Sequence, residues 1–284
     1  MTVVAWPEDL IDEVAARRCV IVLGAGASAS SASKDGTHPP AWAGLLEGAL
    51  DLVPRESDRD AARQLMQRGA YLDSAQVIWT AAPGDAFAQF LAATFAPGKY
   101  APSDVHALVA RLDPKVVVTT NYDTIYEAQL AATYGADAFV VRKFYERDFV
   151  DDLRSGRRVV AKVHGCVSHP DRIILTRRQY FDARRKHSDF YAGLDALVLS
   201  STLLFVGSGF GNDPDIDLLL QNANITAPSK MSHYALVPNG WDPAVRDALS
   251  HTYNVRFVEY EEGHHEQVPE ALTALAEAVE KARG

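Results

Sequence analysis

Residues 19–28, Cys-Val-Ile-Val-Leu-Gly-Ala-Gly-Ala-Ser, decide the fold of this chain. The first five of them are apolar or small and partly β-branched, which is typical of a strand buried on both faces. The strand runs directly into a turn that contains Gly24 and Gly26. Glycine permits backbone angles that other residues avoid and lets main-chain N–H groups approach a pyrophosphate, which the N-terminus of a following helix also attracts. The stretch predicts a nucleotide-binding turn, with a tight strand-to-helix turn that binds no ligand as the alternative.

The composition is that of an ordinary globular protein with one large or two modest domains. The chain has 284 residues, of which 48% are hydrophobic and 23% are charged. Its 28 Lys and Arg residues against 37 Asp and Glu residues give a net charge of −9. A charge of this sign disfavours nonspecific nucleic-acid binding by the whole surface, so we expect no direct contact with nucleic acid.

The cysteines and the N-terminal residues limit which metal sites the chain can form and where in the cell it is expected. Cys19 and Cys166 are too few for a four-cysteine zinc site, and neither belongs to a Cys-x-x-Cys pair, so no metal site is predicted. We expect both thiols to be reduced and buried, as in a cytoplasmic protein. Acidic residues within positions 1–18 exclude a signal peptide, and no uninterrupted apolar run approaches the length that spans a membrane. The chain is therefore expected to be cytoplasmic and to make no membrane contact.

Strand-like and helix-like patterns alternate along most of the chain. We expect further strands at residues 115–120, 138–141, 159–163, 172–175, 202–206, 234–237 and 255–258. We expect helices at residues 7–18, 124–133, 176–200, 216–220 and 269–282. Residues 42–95 have helical periodicity throughout, which predicts a helical insertion or subdomain within a single domain over residues 1–284. The alternation predicts an α/β fold that is Rossmann-like and doubly wound, with a mainly parallel sheet covered on both faces.

Four of the predicted strands end in residues that carry chemistry. These ends are Gly24–Ser28, Thr119-Thr120-Asn121-Tyr122-Asp123, His164-Gly165 and Gly207-Ser208-Gly209. In an open parallel sheet, ligands bind outside the carboxyl ends of the strands, so these residues should share one side of the sheet. Taken singly, Asn121 and Asp123 are equally explained as caps of the next helix, and His164 as a core histidine. A helix cap does not predict a histidine and two glycine turns at equivalent strand ends, so the set favours a common site.

A conventional dinucleotide dehydrogenase does not fit these residues. Its fingerprint requires an acidic residue about 20 positions after the glycine turn, at the end of a second strand. The acidic residue near that distance, Glu47, lies inside the predicted helical segment 42–95. The dinucleotide fold predicted here is therefore atypical.

Four motifs in this order resemble the sirtuins. They are Gly-Ala-Gly-x-Ser at 24–28, Thr-x-Asn-x-Asp at 119–123, Lys-x-His-Gly at 162–165 and the glycine-serine turn at 207–209. Residues 40–42, 173–180 and 207–220 resemble more specifically a bacterial sirtuin-like branch that lacks the zinc module. The resemblance extends from about residue 18 to residue 260.

The chain departs from the protein-deacylating sirtuins in three places. It lacks the Pro-Asp-Phe-Arg element after the first glycine turn, it has Thr120 where a glutamine is usual, and it lacks the cysteine quartet. The resemblance therefore implies an NAD hydrolase without zinc, of the kind that prokaryotic anti-phage systems use to deplete NAD. NAD would be the substrate, cleaved between nicotinamide and ribose into nicotinamide and ADP-ribose.

The resemblance and the chemistry of the side chains suggest roles for the candidate site residues. His164 would act as the base, because an unperturbed imidazole titrates near neutral pH, and Asn121 would orient the ribose or the attacking water. By resemblance, Asp123 would hold the nicotinamide carboxamide, and the two glycine turns would hold the pyrophosphate and the adenosine ribose. The candidate NAD-binding residues are Gly24, Ala25, Gly26, Ser28, Thr120, Asp123, Gly207 and Ser208.

Two other functions remain open from the sequence. One is a sirtuin-type protein deacylase or ADP-ribosyltransferase, and the other is a sensor that binds NAD or ADP-ribose without cleaving it. An unregulated NAD hydrolase would exhaust the cofactor of its own cell, and no sensor domain is evident. We therefore expect control by homo-oligomerisation or by a separately encoded partner, such as a translocase-type ATPase or an argonaute-like protein; this expectation rests on analogy.

Overall fold

A seven-stranded parallel sheet forms the centre of the protein in the computed structural model, which describes residues 4–208, 220–221 and 229–284. The strands in chain order are β1 (Cys19–Leu23), β2 (Ala32–Ser33), β3 (Tyr100–Ala101), β4 (Val116–Thr119), β5 (Phe139–Lys143), β6 (Arg158–Lys162), β7 (Thr202–Val206), β8 (His233–Pro238) and β9 (Val255–Tyr260). The sheet has the order β5-β6-β4-β1-β7-β8-β9, and each of these pairings is parallel. The short strands β2 and β3 form a separate antiparallel pair.

Helices cover both faces of this sheet. In chain order they are α1 (Glu8–Ala15), α2 (Ala25–Ala29), α3 (Trp42–Ala49), α4 (Glu56–Gln67), α5 (Tyr71–Ala81), α6 (Ala86–Thr94), α7 (Asp104–Arg111), α8 (Ile125–Tyr134), α9 (Phe149–Arg154), α10 (Arg177–Lys186), α11 (Ser188–Ser200), α12 (Pro243–Tyr253) and α13 (Gln267–Arg283). The prediction of a Rossmann-like α/β fold with a parallel sheet is confirmed. Residues 216–219 of the predicted helix at 216–220 lie outside the described residues.

The central strand β1 explains why the sheet is buried on both faces. Val20 and Val22 point into a core cluster that includes Phe190 and Leu194 of α11. Cys19, Ile21 and Leu23 point into a second cluster, which is formed with α1, α7 and α13 on the opposite face. Alternating residues of one continuous apolar run thus fill two cores, as expected for a strand that is covered on both sides.

The order of the strands creates a crevice at the end of β1. The strand that follows β1 in the large sheet, β4, pairs on one side of it, whereas β7 pairs on the other side. The chain segments that leave β1 and its neighbours run to opposite sides of β1, where the strand order reverses. This leaves space above the carboxyl end of β1. The ends of β1, β4 and β7 therefore surround a single location in the fold.

Residues 42–95, for which the periodicity predicts helices, contain helices α3 to α6. Their apolar faces form a third core cluster, which also includes Tyr122 after β4 and Cys166 after β6. The four helices therefore pack against the loops that leave the carboxyl ends of the sheet. The assignment of residues 42–95 as an insertion in a single domain over residues 1–284 stays a prediction.

The predicted edge strand at residues 172–175 is wrong. Residues Pro170–Arg172 form a single 3-10 turn, and the following residues are irregular. Strand β6 already has β5 on one side and β4 on the other, so no free edge remains beside it. The segment instead crosses the end of β6, where the main-chain N–H of Ile174 donates to the carbonyl oxygen of His164 over 3.0 Å.

Two buried histidines predict a loss of stability in mild acid. Burial lowers the pKa of His106 to about 4, although Asp123 acts in the opposite direction, and burial lowers the pKa of His233 to about 4. An unfolded chain binds these protons near pH 6.5, which is the ordinary value, and the folded chain does not. The free energy of unfolding should therefore fall as the pH drops from 6.5 towards 4.

Urea unfolding at several pH values checks this expectation. The wild-type chain should take up about two more protons on unfolding in this window than the His106→Gln/His233→Gln variant. The carboxylates contribute equally to both chains, so the difference between them isolates the two imidazoles. Identical pH dependence of the two chains would contradict the prediction.

Candidate active site

The turns after β1 and β7 pack backbone against backbone. The N–H of Gly24 donates to the Val206 carbonyl oxygen over 3.0 Å, and the N–H of Gly26 donates to the Gly207 carbonyl oxygen over 2.9 Å. A β-carbon on Gly24 would lie 2.5 Å from the Gly207 oxygen, and one on Gly207 would lie 2.2 Å from the Ala27 nitrogen. Gly207 also has a φ of +67°, in the region that favours glycine. Glycine is therefore required at both positions by the packing of the two turns.

Main-chain N–H groups of the predicted pyrophosphate turn already donate to protein acceptors. The N–H of Gly26 is engaged by Gly207, and the N–H of Ala27 donates to the carbonyl oxygen of Gly24 over 3.0 Å. Two of the main-chain donors near the start of α2 thus already have protein acceptors. The tight turn proposed as an alternative accounts for the glycines by itself, and their contact with a ligand stays a prediction.

Two clefts lie on either side of this turn. The β4-side cleft, with about 410 Å³ of empty space up to its open mouth, is lined by Ala25, Ser28, Pro39, Pro40, Trp42, Leu45, Phe95, Thr120, Asn121, Tyr122 and Asp123. The β7-side cleft, with about 900 Å³, is lined by Gly26, Ala27, Ala29, Ser30, Val105, Val206, Gly207, Ser208, Leu236, Pro238, Tyr260, His265 and Val268. The first has a polar floor under an apolar wall, and the second is mainly apolar with a few polar groups.

The predicted site residues divide between these clefts. Ala25, Ser28, Thr120, Asn121 and Asp123 line the β4-side cleft. Gly26, Gly207 and Ser208 line the β7-side cleft, and Gly24 lies within the packed turn between the two.

A hydrogen-bond network joins the polar residues of the β4-side cleft. The side-chain amide nitrogen of Asn121 lies 2.9 Å from the Gly24 carbonyl oxygen and 2.9 Å from the Ser28 hydroxyl. That hydroxyl lies 2.7 Å from one carboxylate oxygen of Asp123, and the other oxygen accepts from the main-chain N–H of Ile125 over 3.0 Å. Asp123 thus does bond the first turn of α8, whereas the Asn121 side chain reaches back to the turn after β1.

The chemistry of the partners fixes the direction of these hydrogen bonds. A carbonyl oxygen can only accept, so the atom of Asn121 that faces Gly24 is the amide nitrogen. An ionised carboxylate can only accept, so the Ser28 hydroxyl donates to Asp123 and accepts from Asn121. Among the described residues, the Oδ1 atom of Asn121 has no hydrogen-bond partner. Asn121 therefore offers an acceptor oxygen to the β4-side cleft.

His164 lies two residues beyond β6 and is 5% exposed. Its ring packs edge-on against the ring of Tyr180, with centroids 6.0 Å apart. It is not among the described residues that line either of the two clefts. The structure thus places His164 at the end of the strand beside β4, and its predicted role as a base stays a prediction.

Sequence reasoning missed several residues that shape the site. Trp42 and Phe95 form an apolar wall of the β4-side cleft, and Tyr260 and His265 form the far wall of the β7-side cleft. Tyr260 ends β9, so the rule that ligands lie at strand ends would have found it. Phe95 could not be found in this way, because it comes from the helical segment, whose docking onto the sheet has no local sequence signal.

Metal ligation and membrane insertion have no structural support in the part of the chain that the structure describes. No group of three or more His, Cys, Asp or Glu side chains there is placed to hold a metal ion. None of the helices among those residues combines the length and the apolar character needed to cross a membrane. Both cysteines are buried free thiols, and burial raises the pKa of Cys19 far above its ordinary value.

The sheet order and the crevice at the end of β1 define an α/β protein of the doubly wound class. Within that class, residues 115–258, about half of the chain, match the SIR2-like domain. The chain belongs to the SIR2-like domain family.

Three relatives carry the name NAD(+) hydrolase ThsA. The protein from Acinetobacter baumannii is 31% identical over 137 residues, which is 48% of this chain and 27% of the relative. The protein from Bacillus cereus is 29% identical over 133 residues, 46% of this chain and 27% of the relative. The protein from Cytobacillus dafuensis is 25% identical over 205 residues, 72% of this chain and 38% of the relative. The matched region therefore spans well under half the length of each relative.

The packed glycine turn predicts a specific loss of stability. In a Gly24→Ala variant, the added methyl group must displace the Gly207 oxygen or the Ser208 backbone. Overpacking of this kind costs about 1–3 kcal/mol in the free energy of unfolding, which urea unfolding measures. Gly156→Ala is the matched control, because nothing lies within 4 Å of its added β-carbon. Equal stability of the two variants would contradict this account of the turn.

Proposed function

We propose that this chain hydrolyses NAD at the bond between nicotinamide and ribose, releasing nicotinamide and ADP-ribose. The observation that carries the proposal is the fixed amide of Asn121, which offers an acceptor oxygen to a cleft at the end of β1 in a SIR2-like fold. Its relatives are named NAD(+) hydrolases, which supports the same activity.

In this proposal the two clefts take the two ends of the dinucleotide. The nicotinamide end binds in the β4-side cleft, where Pro40, Trp42 and Phe95 supply an apolar wall for the ring. The adenosine end binds in the larger β7-side cleft. The pyrophosphate crosses the turn at residues 24–28, which separates the clefts. This arrangement follows the rule that ligands in open parallel sheets lie where the strand order reverses.

The chemistry requires little beyond position and a suitable electrostatic environment. The nicotinamide ring of NAD already carries a positive charge, so it leaves without protonation, through a transition state that resembles an oxocarbenium ion. The Oδ1 atom of Asn121 accepts a hydrogen bond from the attacking water or from a ribose hydroxyl and orients it. His164 serves as the base that removes a proton in this step, because an imidazole can accept a proton near neutral pH. Asp123 holds the carboxamide of nicotinamide.

A second candidate function is a sensor that binds NAD or ADP-ribose without cleaving it. Turnover of NAD distinguishes this sensor from the hydrolase.

The setting that we propose is anti-phage defence in the cytoplasm, where depletion of NAD stops growth. Such an enzyme must be inactive until it is needed. We infer control by self-association or by a separately encoded partner, such as a translocase-type ATPase or an argonaute-like protein.

The proposed function predicts the effect of two substitutions. His164→Ala and Asn121→Ala should each lower nicotinamide release from NAD by about 100-fold or more, because each removes a group that positions or deprotonates the reacting hydroxyl. Both should stay folded. His251→Ala is the control, since this exposed histidine of α12 lies outside both clefts and should keep full activity.

The assay follows nicotinamide and ADP-ribose, with the chain alone and with candidate partners. Release of nicotinamide only when an acetylated peptide is present would indicate a protein deacylase instead. Stoichiometric binding of NAD without turnover would indicate the sensor. Wild-type turnover in either site variant would contradict the assigned roles.

A further inference from the structure

Lys162 is a buried cation directly behind the candidate active site. It is the last residue of β6 and is 1% exposed. Its ammonium group donates to the main-chain carbonyl oxygen of Asp123 over 2.5 Å and to the Glu127 carboxylate over 2.9 Å. Glu127 lies on α8, and its side chain is 13% exposed. Lys162 is not among the described residues that line either cleft, whereas its partner Asp123 lines the β4-side cleft.

The environment keeps this ammonium charged. Burial acts to lower the pKa of Lys162, but attraction by Glu127, with smaller contributions from Cys166 and Asp123, outweighs it and leaves the pKa above its ordinary value. Removing an ammonium ion from water is unfavourable even after the protein relaxes around it. A cation held at this cost requires an explanation beyond the packing of β6, whose other buried residues are apolar.

The contacts of Lys162 continue into the hydrogen-bond network of the β4-side cleft. Lys162 holds the main chain of Asp123, and the Asp123 carboxylate accepts from Ser28. Ser28 accepts in turn from Asn121, which also donates to Gly24. An unbroken chain of hydrogen bonds therefore runs from Glu127 to the turn after β1. A shift of Asp123 would release Ser28, and the Asn121 amide would then be held by the Gly24 carbonyl oxygen alone.

We propose that Lys162, held by Glu127, is a positioning residue that fixes Asp123 so that Ser28 and Asn121 keep one hydrogen-bond direction. The Asn121 amide then presents its oxygen, and not its nitrogen, to the β4-side cleft. This inference rests on the proposed function, in which that oxygen accepts a hydrogen bond from the reacting hydroxyl. It assigns Ser28 to the same network, as a link between Asp123 and Asn121.

The alternative is a buried ion pair that only stabilises the fold. Replacing both members of such a pair with apolar residues of similar volume is often neutral or stabilising, whereas removing one member leaves an unpaired buried charge. A stabilising role and a positioning role therefore predict different behaviour of the double variant Lys162→Met/Glu127→Leu. In this variant no buried charge remains unpaired, but Asp123 has lost its donor.

The first test compares stability and kinetics of NAD cleavage. Lys162→Met alone should be destabilised, and Lys162→Met/Glu127→Leu should recover most of the melting temperature. We expect the double variant to retain a KM within about threefold of wild type and to lose about 10- to 100-fold in kcat, since misplacement by about 1 Å has effects of this size. A kcat within threefold of wild type at recovered stability would overturn the proposal, as would a loss confined to KM.

The control for these measurements is another partly buried ion pair, formed by Arg142 of β5 and Asp152 of α9. Neither residue is among those that line the clefts. Arg142→Met/Asp152→Leu should change the melting temperature without lowering kcat. An equal loss of kcat in this control would show that any lost ion pair impairs the enzyme, and would overturn the specific role of Lys162.

The second test does not depend on catalysis. In a chain labelled with nitrogen-15 asparagine, the side-chain amide hydrogens of Asn121 should exchange slowly in the wild type, because both donate to protein acceptors. They should exchange at least about tenfold faster in Lys162→Met/Glu127→Leu. Unchanged exchange would overturn the inference even if NAD is cleaved. If the wild type cleaves no NAD but the exchange rates differ, the proposed function fails and the positioning role of Lys162 stands.

Discussion

Gly24 is the point at which three strands of the sheet are tied together. Its N–H group donates to Val206 at the end of β7, and its carbonyl oxygen accepts from Asn121 after β4. A side chain at this position has no space, because the turn after β7 lies against it. The two clefts, the orientation of Asn121 and the position of Ser28 all depend on this close contact between backbones.

Much of the fold could be predicted because its signals are local. The burial of β1 on both faces follows from residues 19–23 alone, and the helical periodicity of residues 42–95 is continuous. The edge strand at residues 172–175 was wrong because Ile173 and Leu175 are buried by the helical cluster and Ile174 by the core under the large sheet, and none of them pairs with a strand. No local pattern distinguishes an apolar segment buried in this way from a strand.

The sequence predicted where the candidate site lies, but not which side chains contact one another there. Strand ends indicated where Asn121, Asp123 and the glycine turns would meet, since the carboxyl ends of parallel strands share one edge. Lys162 was not recognised as a polar member of the site, because Glu127 and the Asp123 carbonyl oxygen reach it from a different element, 35 and 39 positions away in the chain. A polar residue after a strand can be both a helix cap and part of a site. Asp123 accepts from the N–H of Ile125 at the start of α8, and it also accepts from the Ser28 hydroxyl in the β4-side cleft.

The central claim is that one dinucleotide spans both clefts across the turn at Gly24. A crystal structure of the His164→Ala variant with NAD tests it most directly. The account predicts nicotinamide in the β4-side cleft, adenosine in the β7-side cleft, and a ribose hydroxyl or water within hydrogen-bonding distance of the Asn121 oxygen. A dinucleotide bound elsewhere, or an Asn121 amide turned with its nitrogen towards the ligand, would contradict it.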